Sequence, residues 1–371
     1  MSDQVRPESA LRCARNTHPL LAALFLQVLR LCRKAGLVKL GHVAIDGTKV
    51  AANASKHKAM SYDRMGEAEK KLEEQVRGLL EEAERVDAEE DAKYGKGKRG
   101  DELPTELARR ESRLKKLREA KEALEAEARA EAEQKAAEAK RKLEERARHE
   151  AETGKKTSGT PPAVPDPEKA KPAPKSQRNF TDPDSRIMPD GANKGSFKQA
   201  YNAQIAVDAH AQIILAAEVT QQVNDKQQLE PMAQAIVENV GKLADVTSAD
   251  AGYFSEKAID AVSAMGTLLL VPPHRQKHGE AEPEAHGEAG PNATASERMR
   301  HKLRTEAGRG LYRMRKAIVE PVFGQIKSVR GLDRFVTRGL DNVRPEFLFI
   351  AMTHNLLKLF RFGGPGALAA G

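Results

Sequence analysis

Apolar positions recur along this chain with several different periods, and the changes of period mark its parts. Leu20, Leu21, Leu24, Phe25, Val28, Leu29, Leu31 and Cys32 are spaced for one face of a helix, which Gly36 closes. Residues 43–50 follow as a strand, because Val43, Ile45, Thr48 and Val50 suit a pleated, buried surface. The next stretch is different. Leu72, Val76, Leu79, Ala83 and Val86 alternate in steps of four and three, the spacing of a heptad seam in a stretch of Glu, Lys, Arg and Ala. Gly95, Gly97, Gly100 and Pro104 then turn the chain. Leu107, Leu114, Leu117, Leu124 and Ala128 take up a second seam, with Arg110 and Lys121 falling on it. This predicts a helical hairpin with facing stripes, running on as a charged, Ala-rich helix to about residue 153. Residues 154–176, rich in Pro, Lys, Thr and Ser, read as a disordered linker.

Beyond residue 195 the strand pattern returns. Residues 179–195 are a polar loop. Two β-like runs, 200–209 and 212–220, flank a His210–Ala211 turn and predict an antiparallel hairpin, with Asp208 as a turn former. Residues 225–240 form an amphipathic helix on Leu229, Met232, Ile236 and Val240. A short strand at 246–249 precedes a helix that Ser255 caps, and 267–271 is a buried strand stopped by Pro272 and Pro273. A terminal core helix spans 347–360, with His354 structural. The order βββαβα β, closed by a helix, predicts an α/β fold: a mixed five-stranded sheet flanked by helices, with the charged hairpin inserted after its first strand. The expected parts are residues 1–39 (tail and helix), 40–66, the insertion 67–176, 177–362, and a tail 363–371.

Composition agrees with an insertion. Aromatics are only 4% of 371 residues and Trp is absent, too few for one globular fold throughout. Cys13 and Cys32 show neither pairing nor metal spacing, which implies a reduced, cytoplasmic setting. The apolar run at 20–32 is too short to span a bilayer, and Arg30, Arg33 and Lys34 stand where a signal peptide would have small residues. A core helix, with no membrane contact, is the reading. His274, His278 and His286 lack ligand spacing and belong to a loop. Charge changes the picture more. Residues 297–361 hold fifteen Lys or Arg against six Asp or Glu, a net +9 in a chain of +8. Arg298, Arg300, Lys302, Arg304, Arg309, Arg313, Arg315 and Lys316 make a run of the kind a phosphate backbone attracts.

Three acids stand out. Asp46 lies inside a buried strand, where a carboxylate needs either a metal or a structural Arg or Lys. Asp250 ends the 246–249 strand, at the edge where open α/β sheets gather ligands. Glu320 lies in a basic helical stretch, with Lys327 seven residues on and so on nearly the same face. Pro321 must open a new helix or kink a longer one. Three such acids suit two magnesium ions, each of which keeps several waters and takes one or two carboxylates.

The segments IDGTKV, GSFKQAYNAQIAVD, VTSADAGYFS and YRMRKAIVEPVFGQIK, in that order, resemble the blocks of bacterial insertion-sequence transposases with a DDE catalytic domain. The resemblance implies a ribonuclease H-like fold with Asp46, Asp250 and Glu320 as the catalytic and metal-binding triad. It implies two Mg²⁺ ions, with Mn²⁺ able to substitute. The family's tyrosine–basic–glutamate–lysine signature falls on Tyr312, Lys316, Glu320 and Lys327, with Arg315 and Arg313 as the other candidates for its basic member. These residues, Tyr312, Arg313, Arg315, Lys316 and Lys327, would contact DNA. Implied partners are double-stranded DNA, as transposon ends and target, and a second copy of the chain assembled on it, in a nucleoid-associated setting. The hairpin would be a solvated spacer, or an arm for dimerisation or for holding DNA ends. The family carries a helical DNA-end-binding domain ahead of the first Asp block, and only 45 residues precede Asp46 here. Two other readings follow: a targeting-deficient remnant that binds DNA without transposing, or another nuclease of the same fold.

Overall fold

The computed structural model describes residues 18–94, 105–154, 156–157, 159–191, 195–274, 284–287, 289–290 and 293–363. The expected tail 1–17, the turn at 95–104 and His278 lie outside the described residues, as do the side chains of Ala83, Val86 and Leu107. Chain order begins α1 (His18–Lys34), β1 (His42–Ala51), β2 (Ala59–Ser61), α2 (Tyr62–Tyr94), α3 (Thr105–Thr153), β3 (Gln177–Asn179) and β4 (Arg186–Pro189). It continues β5 (Phe197–Asp208), β6 (Ile213–Thr220), α4 (Leu229–Val240), β7 (Val246–Ser248), α5 (Glu256–Ser263), β8 (Leu268–Leu270), α6 (Ala295–Arg304), α7 (Glu306–Gly324) and α8 (Leu340–Phe362).

The chain divides into two units, one of them His57–Pro183 and the other the residues on either side of it. In the second, β1 is central. It runs antiparallel to β5, from Val43 opposite Asp208 to Ala51 opposite Ala200, and parallel to β7, with Ala44 opposite Ser248. β8 continues the parallel side. β6 and β4 share the far edge of β5, so the mixed sheet has six strands where five were expected, β4 being the addition the sequence pattern did not give. The apolar approach Val43, Ala44 and Ile45 is fully buried, as are Leu29 of α1, Ile236 of α4 and Leu359 of α8.

Two polar side chains fix turns around this core. Asp208 is buried; its Oδ2 accepts the amides of Lys39 and Leu40, at 3.2 and 2.8 Å, and its Oδ1 accepts that of His210 at 2.9 Å. Leu40 has φ +55°, a conformation a non-glycine residue holds only when its surroundings dictate it, and Asp208 supplies that constraint. Gln212 serves the helix α7. Pro321 lies inside that helix and has no N–H for the carbonyl of Ala317. The Gln212 amide donates to that carbonyl at 3.2 Å, so the helix runs on past the proline. His354 is buried between the Gln212 carbonyl and the Gln325 side chain, and burial pushes its pKa down to about 4, as suits a structural residue.

In the first unit, α2 and α3 pack antiparallel. Met65 meets Leu117, Ala120 and Leu124, while Glu69 binds Arg118 and Lys121, and the Tyr62 hydroxyl donates to Glu125 at 2.6 Å. The unit extends beyond the charged stretch at both ends because β2 and β3 form a small ribbon at its base. The expected disordered linker is corrected here. Asp166 caps a 3₁₀ turn, Pro167–Lys169, and Arg146 of α3 donates to the carbonyl of Gly159 at 2.8 Å. Prolines and the Arg146 fork give this segment fixed partners that composition alone does not show.

Among the described residues each unit has its own buried apolar cluster: one is drawn from residues up to 52 and from 201 on, the other from Met65 to Leu124. Because Ser61 pairs with Gln177, a two-residue Asn-Gly turn can replace residues 62–176 and close the ribbon. That variant is expected to be soluble and to melt cooperatively; a chain that aggregates or melts without cooperativity would show that the sheet depends on the hairpin. Asp208→Ala is expected to lose about 3 kcal/mol in urea unfolding, since it strands the buried amide of Leu40 and the part-buried amides of Lys39 and His210. A loss within about 0.5 kcal/mol would mean that the turns hold without it.

Candidate active site

The parallel pairing of β1 with β7 ends at Ala44 and Ser248, and two residues further along each strand stand Asp46 and Asp250. The register thus brings the two acids near each other, Asp46 in the middle of β1 and Asp250 just past the end of β7. Asp46 Oδ1 accepts the amide of Gly47 at 2.9 Å and its Oδ2 accepts Arg315 Nη1 at 2.9 Å. Burial pushes its pKa up to about 6; Arg315 opposes this, and the like charge of Asp250 adds to it. Asp250 Oδ1 accepts the amide of Gly252 at 2.8 Å, capping a 3₁₀ turn, Ala251–Tyr253. Of the two partners the sequence left open for Asp46, the arginine is in place.

Helix α7 splits the signature residues between two faces. Arg315 is buried on the side toward β1, and its guanidinium lies 6.0 Å from the centre of the Tyr312 ring. Arg315 is therefore the basic residue beside Asp46, in place of Lys316. Glu320 is five residues on, about 140° around the helix, and is exposed along with Arg313 and Lys316, which share its stripe. Glu320 makes no hydrogen bond or ion pair with described residues. Lys327 departs from the expected shared face for a structural reason. Residues Gln325–Val329 form a π-helical turn, which holds more residues per turn than an α-helix and so swings Lys327 toward the sheet. Its ammonium donates to Thr48 Oγ1 at 2.5 Å and to the Lys49 carbonyl at 2.9 Å, and burial lowers its pKa to about 8. Among the described residues, no three of His, Cys, Asp or Glu converge as a metal-binding group. The structure brings together Asp46, Asp250, Arg315 and Tyr312, sets Lys327 further along β1 at Thr48 and Lys49, and leaves Arg313, Lys316 and Glu320 on the outer face of α7.

One acid at this site was not singled out from the sequence. Residues 225–240 read as one helix, but α4 begins at Leu229, so Asp225 belongs to the preceding loop. Its Oδ1 accepts Asn202 Nδ2 at 2.6 Å and Gln204 Nε2 at 2.7 Å, and Lys49 Nζ is 3.7 Å away. Gly47 is a glycine because of this packing: a Cβ there would come within 2.4 Å of the Gln204 amide and 2.9 Å of Asp225. A Cβ on Gly252 would meet Asp250 at 2.9 Å and Asp225 at 3.6 Å, so both carboxylates approach the same point. Tyr253, fully buried, donates its hydroxyl to Gln204. Burial and the charges of Asp225, Asp46 and Asp250 hold that phenol well above its ordinary pKa, so it remains a donor. The signal available in the sequence was Asn224–Asp225 directly before an amphipathic run that does not need it.

The basic run is partly committed within the fold. Arg298 pairs with Asp260 at 2.6 Å and Arg309 with Glu284 at 3.3 Å, whereas Arg313 and Lys316 are exposed on α7. No helix among the described residues is long and apolar enough to cross a membrane.

No curated protein and no solved structure matches the chain. A family model does: that of the transposase DDE domain, over residues 163–356, slightly more than half of the sequence. The matched span holds β5 to α7, with Asp225, Asp250 and Glu320; β1 and Asp46 precede it and join through the sheet register. The chain belongs to the transposase DDE domain family.

Proposed function

We propose that the chain cuts and joins DNA strands at the ends of an insertion sequence, using Mg²⁺ held by Asp46 and Asp250, with Glu320 completing the acidic set. The observation that carries this reading is the Asp46–Asp250 pair, one acid in the middle of β1 and the other two residues past the end of the adjacent parallel β7, in a chain of the DDE transposase family. The donor set fits the ion. Mg²⁺ takes one or two carboxylates and otherwise keeps its waters, and Asp46 is a buried acid with a like-charged neighbour, its pKa still raised even with Arg315 beside it. When bound, a divalent pair activates an attacking oxygen and neutralises the leaving one. Mn²⁺ meets the same oxygen donors and can take its place.

The remaining work is positioning, which dominates phosphoryl transfer. Arg315 on α7, beside Asp46, and Lys327 in the turn after α7, beside Thr48, would hold phosphate oxygens, and Arg313 and Lys316 would carry the duplex along the outer face of the helix. Tyr312 supports the Arg315 guanidinium. Glu320 reaches the aspartates only if α7 turns about its axis, and the π-helical turn that follows is a natural place for that rotation. Duplex DNA, as ends and target, and a second copy of the chain on it are the partners of this reading. The hairpin of α2 and α3 would serve as its arm or spacer.

The direct test is cleavage of duplexes carrying the flanking terminal inverted repeats, with Mg²⁺ and with EDTA. Asp46→Asn, Asp250→Asn and Glu320→Gln are each expected to lower Mg²⁺-dependent cleavage at least about a thousandfold, in line with removal of a group that acts on the transition state. Near-normal cutting by any one variant would remove that residue from the set.

Asp46 also gives a stability test that needs no DNA. Its folded pKa, about 6, stands above its ordinary 3.8, so the folded chain binds this proton more tightly than the unfolded chain does. Stability therefore falls as pH rises through that window. In metal-free buffer Asp46→Asn is expected to be more stable than the parent at pH 7.5, on the order of 1–3 kcal/mol. The gap closes as pH falls from 6 toward 4. Added Mg²⁺ is expected to stabilise the parent alone. A variant less stable than the parent at pH 7.5 would mean that the Arg315 pair outweighs the burial of the charge.

A further inference from the structure

Strand β1 meets cations on both of its faces, and only one face is used by the signature residues. In the β1–β5 register Gly47 lies opposite Gln204 and Lys49 opposite Asn202, so these four share a face, while Asp46 and Thr48 share the other. Arg315 and Lys327 serve the Asp46 face. On the Gly47 face the Lys49 ammonium lies 3.7 Å from Asp225 and within the electrostatic reach of Asp250 and Asp46. We propose that Lys49 is a substrate-contacting residue of this active site, taking a phosphate oxygen of the DNA strand beside Asp250, and that Asp225 is the positioning residue that holds it there. The proposal rests on the DNA-cutting reading above and adds two residues to it.

Three observations support it. Asp225 does not need Lys49 as a hydrogen-bond donor, because Asn202 and Gln204 already bond its Oδ1 at 2.6 and 2.7 Å. The Lys49 contact, at 3.7 Å, is longer than a charge-assisted hydrogen bond, so the ammonium keeps its three donors for another acceptor. Sinking both charges this far costs desolvation that a neutral pair would avoid, and the side chains are left 19% and 21% exposed, enough for a ligand to reach them. An incoming phosphodiester must approach carboxylates of its own sign. A fixed ammonium on the face opposite Arg315 offsets that repulsion, and the central strand sets its position within a rigid frame.

The test is duplex DNA binding by the full chain in EDTA, followed by fluorescence anisotropy across a salt series. Each phosphate contact contributes about 0.9 to the slope of log affinity against log salt. Lys49→Met is expected to lower that slope by about one contact, and Lys49→Arg to restore it. Asp225→Asn is expected to lose part of the same slope, and the double variant Lys49→Met with Asp225→Asn to be no worse than Lys49→Met alone. A folded Lys49→Met with unchanged slope and affinity overturns the proposal and leaves the transposase reading intact. Should Lys49→Met fail to fold, an unchanged slope in Asp225→Asn overturns it equally. A parent chain with no salt-dependent duplex binding removes both the proposal and the reading on which it rests.

Discussion

A carboxylate in the middle of a central strand is costly to keep ionised, and the Asp46–Arg315 contact is how this fold keeps it so. β1 is paired on both sides, and the residues leading to Asp46 are fully buried. Desolvation alone would drive the acid neutral. The guanidinium arrives from a helix 269 residues later in the chain, so the charge of Asp46 depends on α7 being docked on the sheet. That dependence couples the two ends of the catalytic fold. It also explains why Gln212 is spent on the carbonyl that Pro321 leaves open: a helix broken at that point would not carry Arg315 and Lys327 to the same strand.

The acids follow the same economy of position. Asp46 and Asp250 meet because β7 ends alongside the middle of β1, with no side-chain contact required to bring them there. Asp225 comes from a loop and is placed by side chains instead, through Asn202, Gln204 and Lys49. Gly47 and Gly252 are the empty spaces that allow this. Neither has an unusual backbone; each is small because a carboxylate or amide occupies the position of its missing Cβ.

Much of the sheet was legible in the sequence because its strands alternate or run apolar between clear turn residues, as at 200–209, 212–220 and 267–271. Asp46 and Asp250 were legible for the same reason, as acids at defined places in strands. What was not legible depended on contacts distant in sequence or on a small change of helical pitch. The residues of β4 look like loop, since their strand character comes from pairing with β5. The 3₁₀ turn at Pro167–Lys169 sits in a composition typical of disorder. Asp225 was absorbed into a helix because the apolar run begins only a few residues later. The shared face of Glu320 and Lys327 assumed 3.6 residues per turn throughout, an assumption that the π-helical turn breaks.

That turn has a consequence for how the site can assemble. With Lys327 bonded to β1, the end of α7 is fixed to the sheet, while the stripe of Arg313, Lys316 and Glu320 faces outward. A rigid α-helix could not bring Glu320 inward without carrying Arg315 away from Asp46, because the two residues lie about 140° apart. Arg315 and Glu320 are thus alternative neighbours for the aspartates under a rotation of α7. The cation that keeps Asp46 ionised would leave as the third acid arrives, and only added positive charge, from metal ions, could then hold three carboxylates together. In the function proposed above, metal binding and the inward turn of Glu320 would be one event, and the π-helical segment is where the helix would absorb the twist while Lys327 stays on β1.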